Sequence, residues 1–462
     1  MKKLLIKDVL LLTMVEGSNP EQELKKGNIL IDGQFIEAIG DFTYNADEVE
    51  ILDGKDCVAL PGLINCHTHA AMTLLRGYAD DMELMPWLEE KIWPREAKLN
   101  NESIYWGTML ANLEMIKSGT TTFADMYFFM DEVAQATLES GMRAVLARGL
   151  IGFDDNEGEK LQQSCDFIRT WQGQGQGRIS CMLGPHAPYT CPPEYLEKVI
   201  DAAKDLQVGL HIHLSETQKE FTDLRKEFGQ TPIEFVNNLG LLDVPVTAAH
   251  CVHLTEEDVM ILKEKNVGVA HNPSSNMKLA SGMAPVPHLL EVGINVGLGT
   301  DGAASNNNLN MWEEMHMAAL LHKVSWGDPT LVPASQVLKM GTSMGANVLN
   351  IQNEVGSIEV GKKADIILLD LNKPHLVPQH SLVANLVYSV QGSDVKTTII
   401  DGKIIMKNRE VLTLDEEKVM YEAQKAAEKL LIDKEISKNI IIFLKKLKWL
   451  FIYFILILLI CK

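Results

Sequence analysis

Residues 57–69 read CVALPGLINCHTH, an apolar run that ends in two histidines. Seven further runs share this design, in which apolar residues lead to a polar one and an amphipathic stretch follows: TTTFADMY (120–127), RAVLARGL (143–150), RISCMLGPHA (178–187), VGLHIHLSE (208–216), VTAAHCVHL (246–254), VGVAHNPSSN (267–276) and NVGLGTDG (295–302). Runs that are apolar almost throughout are typical of parallel strands in a sheet covered by helices on both faces. Eight strand and helix units within about 250 residues predict a (β/α)8 barrel, the TIM-like α/β fold.

The segments on either side of the predicted barrel have another pattern. Residues 1–56 and 355–412 read as short strands joined by turns, such as the DG pair in GNILIDGQFIEAIG (27–40). Turn residues between short apolar runs indicate hairpins. Because the two segments share this pattern, we expect them to pack as one small composite β domain, a β-sandwich built from both ends of the chain. The barrel would then occupy residues 57–354, and residues 413–433 would form a C-terminal helix.

The last residues, 434–462, form an atypical apolar and basic tail. After Lys448 the uncharged run covers only positions 449–461, which is shorter than the roughly 17 to 25 residues of a spanning helix. Three interpretations stay open: a weak membrane contact through an interfacial helix, a segment buried in an oligomer, and an appended tail without a role. The abrupt change of composition favours the third.

Composition limits the classes of partner and compartment. Lysine and arginine number 42 against 62 for aspartate and glutamate, a formal net charge of -20. A surface of that sign repels polyanions, so we expect no nucleic acid partner. The seven cysteines are scattered and form no CxxC pair, which favours a reducing compartment. We therefore expect a cytoplasmic protein, and a homo-oligomer.

Polar residues stand where the eight predicted strands end. In a (β/α)8 barrel the chemistry lies at these C-terminal ends, because the βα loops converge there. His67 and His69 are two residues apart, a spacing that points both rings to one side of a strand. The residues at the strand ends are His67, His69, Asp125, Arg148, His186, His213, Glu216, His250, Asn272 and Asp301. Histidines and a carboxylate from strands one, five and eight could hold a divalent metal and leave room for water.

Five motifs carry a resemblance to a known family: LPGLINCHTHAAMTLLRG (60–77), SGTTTFADMY (118–127), HIHLSE (211–216), AHNPSSNMKLASG (270–282) and VGLGTDGAASNNNLNMWEEM (296–315). In order and spacing they are similar to the amidohydrolase superfamily, and most closely to its 5-methylthioadenosine/S-adenosylhomocysteine deaminases. The resemblance extends from about residue 3 to residue 430. The tail has no counterpart in the family pattern.

The resemblance implies a role for each of several residues. It implies one divalent metal ion, with Zn2+ as the first expectation, because the fourth run RISCMLGPHA offers no lysine to bridge a second ion. The implied metal ligands are His67, His69, His213 and Asp301. The implied catalytic residues are Glu216, His250 and Asp301, and the implied substrate-binding residues are Glu96, Arg148, His186, Glu216 and Asp301. The implied substrate is a small nucleoside.

The chemistry of deamination gives these residue types a purpose. Adenine must gain water at C6 and a proton at N1 before ammonia leaves, and a buried, neutral carboxyl group is a suitable proton donor. Glu216 follows His213 by three residues, so it would lie in the same pocket as the metal. His211 lies two residues deeper in the strand and is interpreted as filling. Glu96 could bind ribose hydroxyls, and Arg148 could bind a homocysteine carboxylate.

Other interpretations remain for these residues. His250 could be a core histidine, Asp301 a turn or N-cap residue, and Arg148 part of an ordinary ion pair. A related deaminase or hydrolase could act on guanine, cytosine or a chlorotriazine, and only Glu96, Arg148 and His186 would distinguish it. A protein of another class, a non-catalytic scaffold of the same fold, could lose metal ligands, whereas this chain keeps all four.

Overall fold

The computed structural model describes residues 2–155 and 157–431. The tail 434–462 and its three interpretations lie outside the described residues. In the described part, no helix combines the length and the apolar character that crossing a bilayer requires.

In chain order the strands are β1 (Lys3–Leu11), β2 (Lys25–Asp32), β3 (Phe35–Gly40), β4 (Val49–Asp53), β5 (Cys57–Pro61), β6 (Leu63–Thr68), β7 (Thr120–Tyr127), β8 (Arg143–Leu150), β9 (Ile179–Pro185), β10 (Leu210–Leu214), β11 (Val246–His250), β12 (Gly268–His271), β13 (Val296–Leu298), β14 (Ile366–Asp370), β15 (Val395–Ile400), β16 (Lys403–Lys407) and β17 (Glu410–Val411).

Strands β6 to β13 form the predicted barrel. They pair in sequence order, and every neighbouring pair is parallel. Each of the eight strands is buried almost throughout, which explains why the runs show no polar alternation. The prediction of a (β/α)8 barrel from the eight runs is confirmed.

The first and last barrel strands meet through side chains as well as backbone. The amide nitrogen of Asp301 donates to the carbonyl oxygen of His67 at 2.9 Å. Nearby, the Asn65 side-chain amide donates to Thr300 Oγ1 at 2.7 Å and its oxygen accepts from the Thr300 nitrogen at 3.0 Å. A Cβ atom at Gly299 would lie 2.9 Å from His67 Cβ, so only glycine allows this close approach. The seam therefore brings the end of strand eight against the two histidines of strand one.

Helices follow the strands and cover the barrel. The helix Glu256–Glu264 begins at a capping box: Thr255 Oγ1 accepts from the Asp258 nitrogen, and Asp258 accepts from the Thr255 nitrogen at 2.8 Å. The longer helices are Asn101–Ser118, Met130–Ser140, Glu159–Trp171, Pro193–Leu206, Gln218–Phe228, Pro232–Asn238, Glu256–Glu264, Met311–Trp326, Ala334–Met340, Leu382–Tyr388 and Glu416–Leu431. Shorter helices are Pro20–Glu23, Leu84–Pro86, Trp93–Glu96, Gln174–Gly177, Pro273–Lys278, Val286–Glu291, Ala303–Asn306 and Ser343–Val348; 3₁₀ turns cover Ala70–Leu75, Gly152–Asp154, Leu241–Asp243, Pro374–Leu376 and Gly392–Asp394, and a π turn covers Trp87–Ile92.

The remaining strands form a second, mixed sheet from both ends of the chain. Its order is β17-β16-β15-β14-β5-β1-β2-β3, and β4 pairs with β1. Apolar side chains of both ends share one core, which includes Ile6 and Ile29 from the first end and Ile366 and Ile399 from the second. The composite β unit predicted from the flanking patterns is therefore present, while the residue limits given for the domains stay a prediction.

Residues 57–61 were grouped with the barrel in the sequence analysis, and the structure places them in the second sheet. As β5 they pair with β1 in parallel and with β14 in antiparallel fashion. Gly62 separates β5 from β6, and a Cβ atom there would lie 2.0 Å from Thr121 Oγ1. One unbroken apolar run thus supplies a strand to each sheet, and the run itself contains no polar residue that would mark the change.

Arg143 joins the barrel to the second sheet. Its side chain is almost fully buried at the start of β8. Nε donates to Asp365 Oδ2 at 2.8 Å and Nη2 donates to Asp365 Oδ1 at 3.2 Å. Asp401 lies 3.4 Å from Nη2, and its backbone nitrogen donates to Asp365 Oδ1 at 2.7 Å. A bidentate, buried ion pair therefore connects the two units of the fold.

We expect Arg143→Ala to lower the free energy of unfolding by about 3 to 5 kcal/mol, because it leaves the buried carboxylate of Asp365 without its cation. Chemical denaturation followed by circular dichroism measures the loss. The control is Arg169→Ala, which removes an exposed pair with Asp166 and should cost less than about 1 kcal/mol. Similar losses in both variants would contradict the role of Arg143.

Candidate metal centre and active site

The four predicted metal ligands meet at the C-terminal ends of the barrel strands. His67 lies one residue before the end of β6, His69 directly follows β6, His213 lies in β10, and Asp301 follows β13. His67 Nε2 and His69 Nε2 lie 3.5 Å and 3.3 Å from Asp301 Oδ1. One potential ligand atom from each of His67, His69 and His213 lies within 4.8 Å of the others, and the same holds for His67, His250 and Asp301. The site therefore has a group of histidine and aspartate side chains able to hold a metal ion.

Two of the histidines are oriented by backbone carbonyl groups. His69 Nδ1 lies 2.6 Å from the carbonyl oxygen of Met126, and His213 Nδ1 lies 2.7 Å from that of His186. A carbonyl oxygen only accepts, so each Nδ1 carries the ring proton. Each Nε2 then keeps a free lone pair, as a metal ligand requires.

His67 is oriented by a third histidine. His67 Nδ1 lies 2.8 Å from His211 Nε2, and both rings are buried. The interpretation of His211 as filling is wrong, because it contacts a predicted ligand directly. His67 Nε2 is buried without a hydrogen-bond partner among the described residues, and burial lowers the pKa of His67 to about 4. A neutral ring with an unpaired nitrogen beside a carboxylate fits a metal ion.

Asp301 is held in the ionised form. Burial alone would raise its pKa, but the close approach of His67, together with His69 and His250, holds the pKa well below its usual range. Oδ2 accepts from Ser275 Oγ at 2.6 Å and from Ser305 Oγ at 3.1 Å. Oδ1 accepts from the Gly302 nitrogen at 2.8 Å and faces the histidines.

Glu216 and His250 lie beside this group. Glu216 Oε2 is 3.8 Å from His250 Nε2, and Ser281 Oγ donates to Glu216 Oε1 at 3.3 Å. Burial raises the pKa of Glu216, which favours its neutral form. Burial lowers the pKa of His250, but the charges of Glu216 and Asp301 outweigh this and raise it overall. His250 Nδ1 lies 2.8 Å from Asn276 Oδ1.

The site opens into a pocket whose walls include His69, Trp87, Trp93, Glu96, His186, Glu216, His250 and Asp301. Tyr127 donates to Glu96 Oε1 at 2.7 Å, and burial raises the pKa of Glu96 to about 7. His186 Nδ1 lies 2.9 Å from Thr190 Oγ1, and burial lowers the pKa of His186 to about 3. The predicted substrate residues Glu96 and His186 thus share one pocket with the predicted catalytic residues.

Arg148 lines a second pocket that adjoins the first. Trp93, Glu96 and Tyr189 belong to the walls of both. The Arg148 side chain is half-buried, and burial lowers its pKa. Among the described residues its Nε has no hydrogen-bond partner and Arg148 forms no salt bridge, so the alternative of an ordinary ion pair is absent there. Its guanidinium group is available to an anion in the outer pocket.

Three residues that support the site have no predicted role. Tyr127 donates to Glu96, while Ser275 and Ser305 donate to Asp301. Each lies within one of the motifs that carry the family resemblance, and that position is the signal that could have found them. His253, which follows β11, and His271, which ends β12, differ from each other. His253 bonds the carbonyl oxygen of Ser281, the residue whose hydroxyl group contacts Glu216, whereas His271 pairs with His322 at 3.3 Å.

Comparison with known proteins agrees with this geometry. The model of the amidohydrolase family matches residues 58–405. The chain belongs to the amidohydrolase family. Among its relatives, a protein of Syntrophomonas wolfei is 57% identical over 420 residues, which is 90% of this chain and 96% of the relative. One of Desulforudis audaxviator is 56% identical over 408 residues, or 88% and 94% of the two chains. Both are named 5-methylthioadenosine/S-adenosylhomocysteine deaminase, and the resemblance given by the motifs is confirmed.

Solved structures of amidohydrolases share the fold. An adenosine deaminase from Xanthomonas campestris with bound zinc superposes with a TM-score of 0.87 at 33% identity, covering 93% of this chain and 98% of that one. An atrazine chlorohydrolase from Arthrobacter aurescens complexed with zinc gives a TM-score of 0.84 at 26% identity, covering 92% and 100%. Both neighbours hold zinc, the metal for which the histidine and aspartate group of this amidohydrolase is suited.

We expect His211→Leu to weaken metal binding about 10- to 100-fold, because it leaves the Nδ1 proton of His67 without an acceptor. Competition with a chelator, followed by elemental analysis of the protein, measures the affinity. The control is His288→Leu, which removes a surface histidine paired with Glu256 and should leave the affinity unchanged. An unaltered affinity in His211→Leu would show that the contact does not support the ligand.

Proposed function

We propose that this chain is a hydrolytic deaminase of adenosine derivatives, with 5'-methylthioadenosine and S-adenosylhomocysteine as substrates and ammonia as a product. The observation that carries the proposal is the buried carboxyl group of Glu216, which favours its neutral form beside His250 and the metal-ligand group in one pocket. The names of the relatives support the same activity.

His67, His69, His213 and Asp301 would hold one divalent ion, Zn2+ as the first expectation. When bound, such an ion lowers the pKa of a coordinated water toward about 7, so that the nucleophile is available at neutral pH. The three histidines would supply Nε2 lone pairs, and Asp301 would supply Oδ1. Strand β9 contains no lysine, which supports a single ion.

Glu216 and the groups around it move the protons of the reaction. Water adds across the C6–N1 bond of the purine: its oxygen joins C6, and neutral Glu216 gives a proton to N1. Asp301 or His250 accepts the proton that the water loses. That proton passes to the amino group, which leaves C6 as ammonia. The C6 hydroxyl group gives its remaining proton to the Glu216 carboxylate and becomes a carbonyl, so Glu216 is neutral again for the next turnover.

Glu96 and His186 would position the nucleoside. Glu96 has one oxygen bonded to Tyr127, so the other remains to accept a ribose hydroxyl group. His186 has Nδ1 bonded to Thr190, which leaves Nε2 for the substrate. Both side chains are held before the substrate arrives, and a preformed site reduces the entropy lost on binding.

Arg148 would bind the amino acid end of S-adenosylhomocysteine. The adjoining pocket extends from the shared residues Trp93 and Glu96 to Arg148, so it could receive the 5' substituent of a nucleoside bound at Glu96. A guanidinium group binds a carboxylate through two parallel hydrogen bonds. Methylthioadenosine has no carboxylate, so it would fill this pocket only in part. The cytoplasmic location and the homo-oligomer stay predictions.

Glu216→Gln should lower the rate of ammonia release by about 10²- to 10⁴-fold, because the amide cannot donate the proton to N1 at neutral pH. Metal content should equal that of the wild type, since Glu216 is no ligand in this scheme. The assay measures ammonia from methylthioadenosine, S-adenosylhomocysteine, adenosine, guanine, cytosine and a chlorotriazine, with Zn2+ added.

The control for this variant is Glu194→Gln, an exposed glutamate of the helix Pro193–Leu206, which should keep full activity. Loss of metal from Glu216→Gln would mean that Glu216 is a ligand. Release of ammonia from guanine, cytosine or the triazine, and not from the adenosine derivatives, would contradict the proposed substrate class.

Arg148→Ala should lower kcat/KM for S-adenosylhomocysteine by about 10- to 100-fold, the worth of hydrogen bonds to a charged group. The value for methylthioadenosine should change less than about 3-fold, because that substrate offers no carboxylate. Arg148→Lys keeps the charge but loses the bidentate geometry, so it should recover only part of the loss. Equal effects of Arg148→Ala on the two substrates would contradict the role of Arg148.

A further inference from the structure

A strained turn separates β10 from the helix Gln218–Phe228. Ser215 has φ of +52°, which is left-handed and uncommon for a residue with a side chain. Thr217 is the N-cap of the helix: its Oγ1 accepts from the Glu220 nitrogen at 3.1 Å. Glu216, the proposed proton donor, lies between these two residues. The conformation of this turn therefore decides where the Glu216 carboxyl group points.

Glu220 stands where a capping box would place its glutamate, three residues after the cap, but it bonds elsewhere. In the ordinary capping box at Pro232–Asn238, Glu234 accepts from the nitrogen of the cap residue Thr231 at 2.8 Å. Glu220 instead reaches past Thr217. Its Oε1 accepts from the Ser215 nitrogen at 3.1 Å, and its Oε2 accepts from the Glu216 nitrogen at 2.8 Å. Its carboxylate thus holds the two residues that precede the cap.

The same turn supports the chain that follows His250. The Ser215 carbonyl oxygen accepts from the nitrogens of Val252 and His253, both at 2.9 Å. His250 and Cys251 are left-handed as well, with φ of +73° and +47°. Non-glycine residues in this region are strained and persist only where their surroundings hold them. The Ser215 turn is therefore the shared support of the loops that carry Glu216 and His250.

The buried Glu220 carboxylate accepts hydrogen bonds only from this turn among the described residues. It is buried, with 5% of its surface exposed, and it forms no salt bridge within the described residues. A buried carboxylate without a cation is costly unless hydrogen bonds compensate it. The two backbone nitrogens supply part of that compensation, one to each oxygen, while burial still raises the pKa of Glu220 to about 7. An amide in its place could accept at only one oxygen, and its NH2 group would face a backbone N–H.

We propose that Glu220 is a positioning residue for deamination: its two bonds to the Ser215 and Glu216 nitrogens fix the turn that directs the Glu216 carboxyl group to the purine. This inference rests on the proposed function, in which Glu216 donates the proton. A displacement of about 1 Å in a reacting group can reduce the rate about 100-fold. Glu220 acts through Glu216 and does not touch the substrate.

The first test is Glu220→Gln in the full chain with metal bound. We expect kcat to fall about 10- to 100-fold while KM for methylthioadenosine and the metal content remain close to wild type. The control is Glu234→Gln, the same substitution at the same helical position in the ordinary capping box, which should leave kcat unchanged. Equal kcat in Glu220→Gln and wild type would overturn the proposal.

The second test is the double variant Glu216→Gln with Glu220→Gln. If Glu220 acts through Glu216, the second substitution changes the residual rate of Glu216→Gln by less than about twofold, because coupled residues are not additive. A further loss as large as that of Glu220→Gln alone would indicate a general structural role and would overturn the proposal.

The third test does not depend on turnover. Hydrogen exchange, measured by mass spectrometry on peptides spanning residues 210–217, should be faster in Glu220→Gln than in wild type and unchanged in Glu234→Gln. Unchanged exchange would mean that Glu220 does not hold the turn, and would overturn the proposal even in an active enzyme. Wild-type protein that released no ammonia from any adenosine derivative would instead overturn the proposed function, whatever the exchange shows.

Discussion

One backbone hydrogen bond both closes the barrel and assembles the metal-ligand group. The Asp301 nitrogen donates to the His67 carbonyl oxygen at 2.9 Å, which joins the end of strand eight to strand one. Because the bond lies between two of the predicted ligands themselves, the closed barrel necessarily places the Asp301 carboxylate beside the histidine rings. Gly299 allows the strands to approach this closely, and Asn65 pairs with Thr300 along the same seam. The fold and the site therefore depend on one junction.

Burial is the common influence on the functional groups, and their neighbours decide its effect. It keeps His67 neutral, which a ligand requires, and it favours the neutral form of Glu216, which a proton donor requires. Asp301 is equally buried but remains ionised, because Ser275, Ser305 and the histidines stabilise its charge. A buried site can thus hold a proton donor, Glu216, near an anionic ligand, Asp301, because the two carboxyl groups have different hydrogen-bond partners.

The sequence predicted two kinds of feature: those that repeat along the chain, and those that lie next to the end of a strand. The eight apolar runs predicted the barrel, and the polar residues that end them include all four predicted ligands. His211 was misinterpreted because parity and depth along a strand do not reveal a contact with His67, which is 144 residues away. Likewise, residues 57–61 share their apolar character with β6, and only pairing with β1 and β14 assigns them to the other sheet. The role of His211 and the sheet assignment of residues 57–61 both depend on contacts with residues far away in the chain. A single sequence contains no local signal of such contacts.

The metal-ligand group and the outer pocket occupy different parts of this barrel. The metal-ligand group is built on strand ends and on the closing seam, where a change would also disturb the barrel. Arg148, Trp93 and Tyr189 line the outer pocket, where a change would leave the seam intact. In the proposed function the outer pocket binds the far end of the substrate, so one fold could serve several substrates. A zinc-containing neighbour that acts on atrazine shares the fold at 26% identity. The turn held by Glu220 lies between the two regions: it belongs to the barrel by its position after β10, and to the chemistry because Glu216 is part of it. The turn must fit the barrel and also direct the Glu216 carboxyl group. This double requirement accounts for the buried Glu220 carboxylate, which accepts hydrogen bonds from two backbone nitrogens.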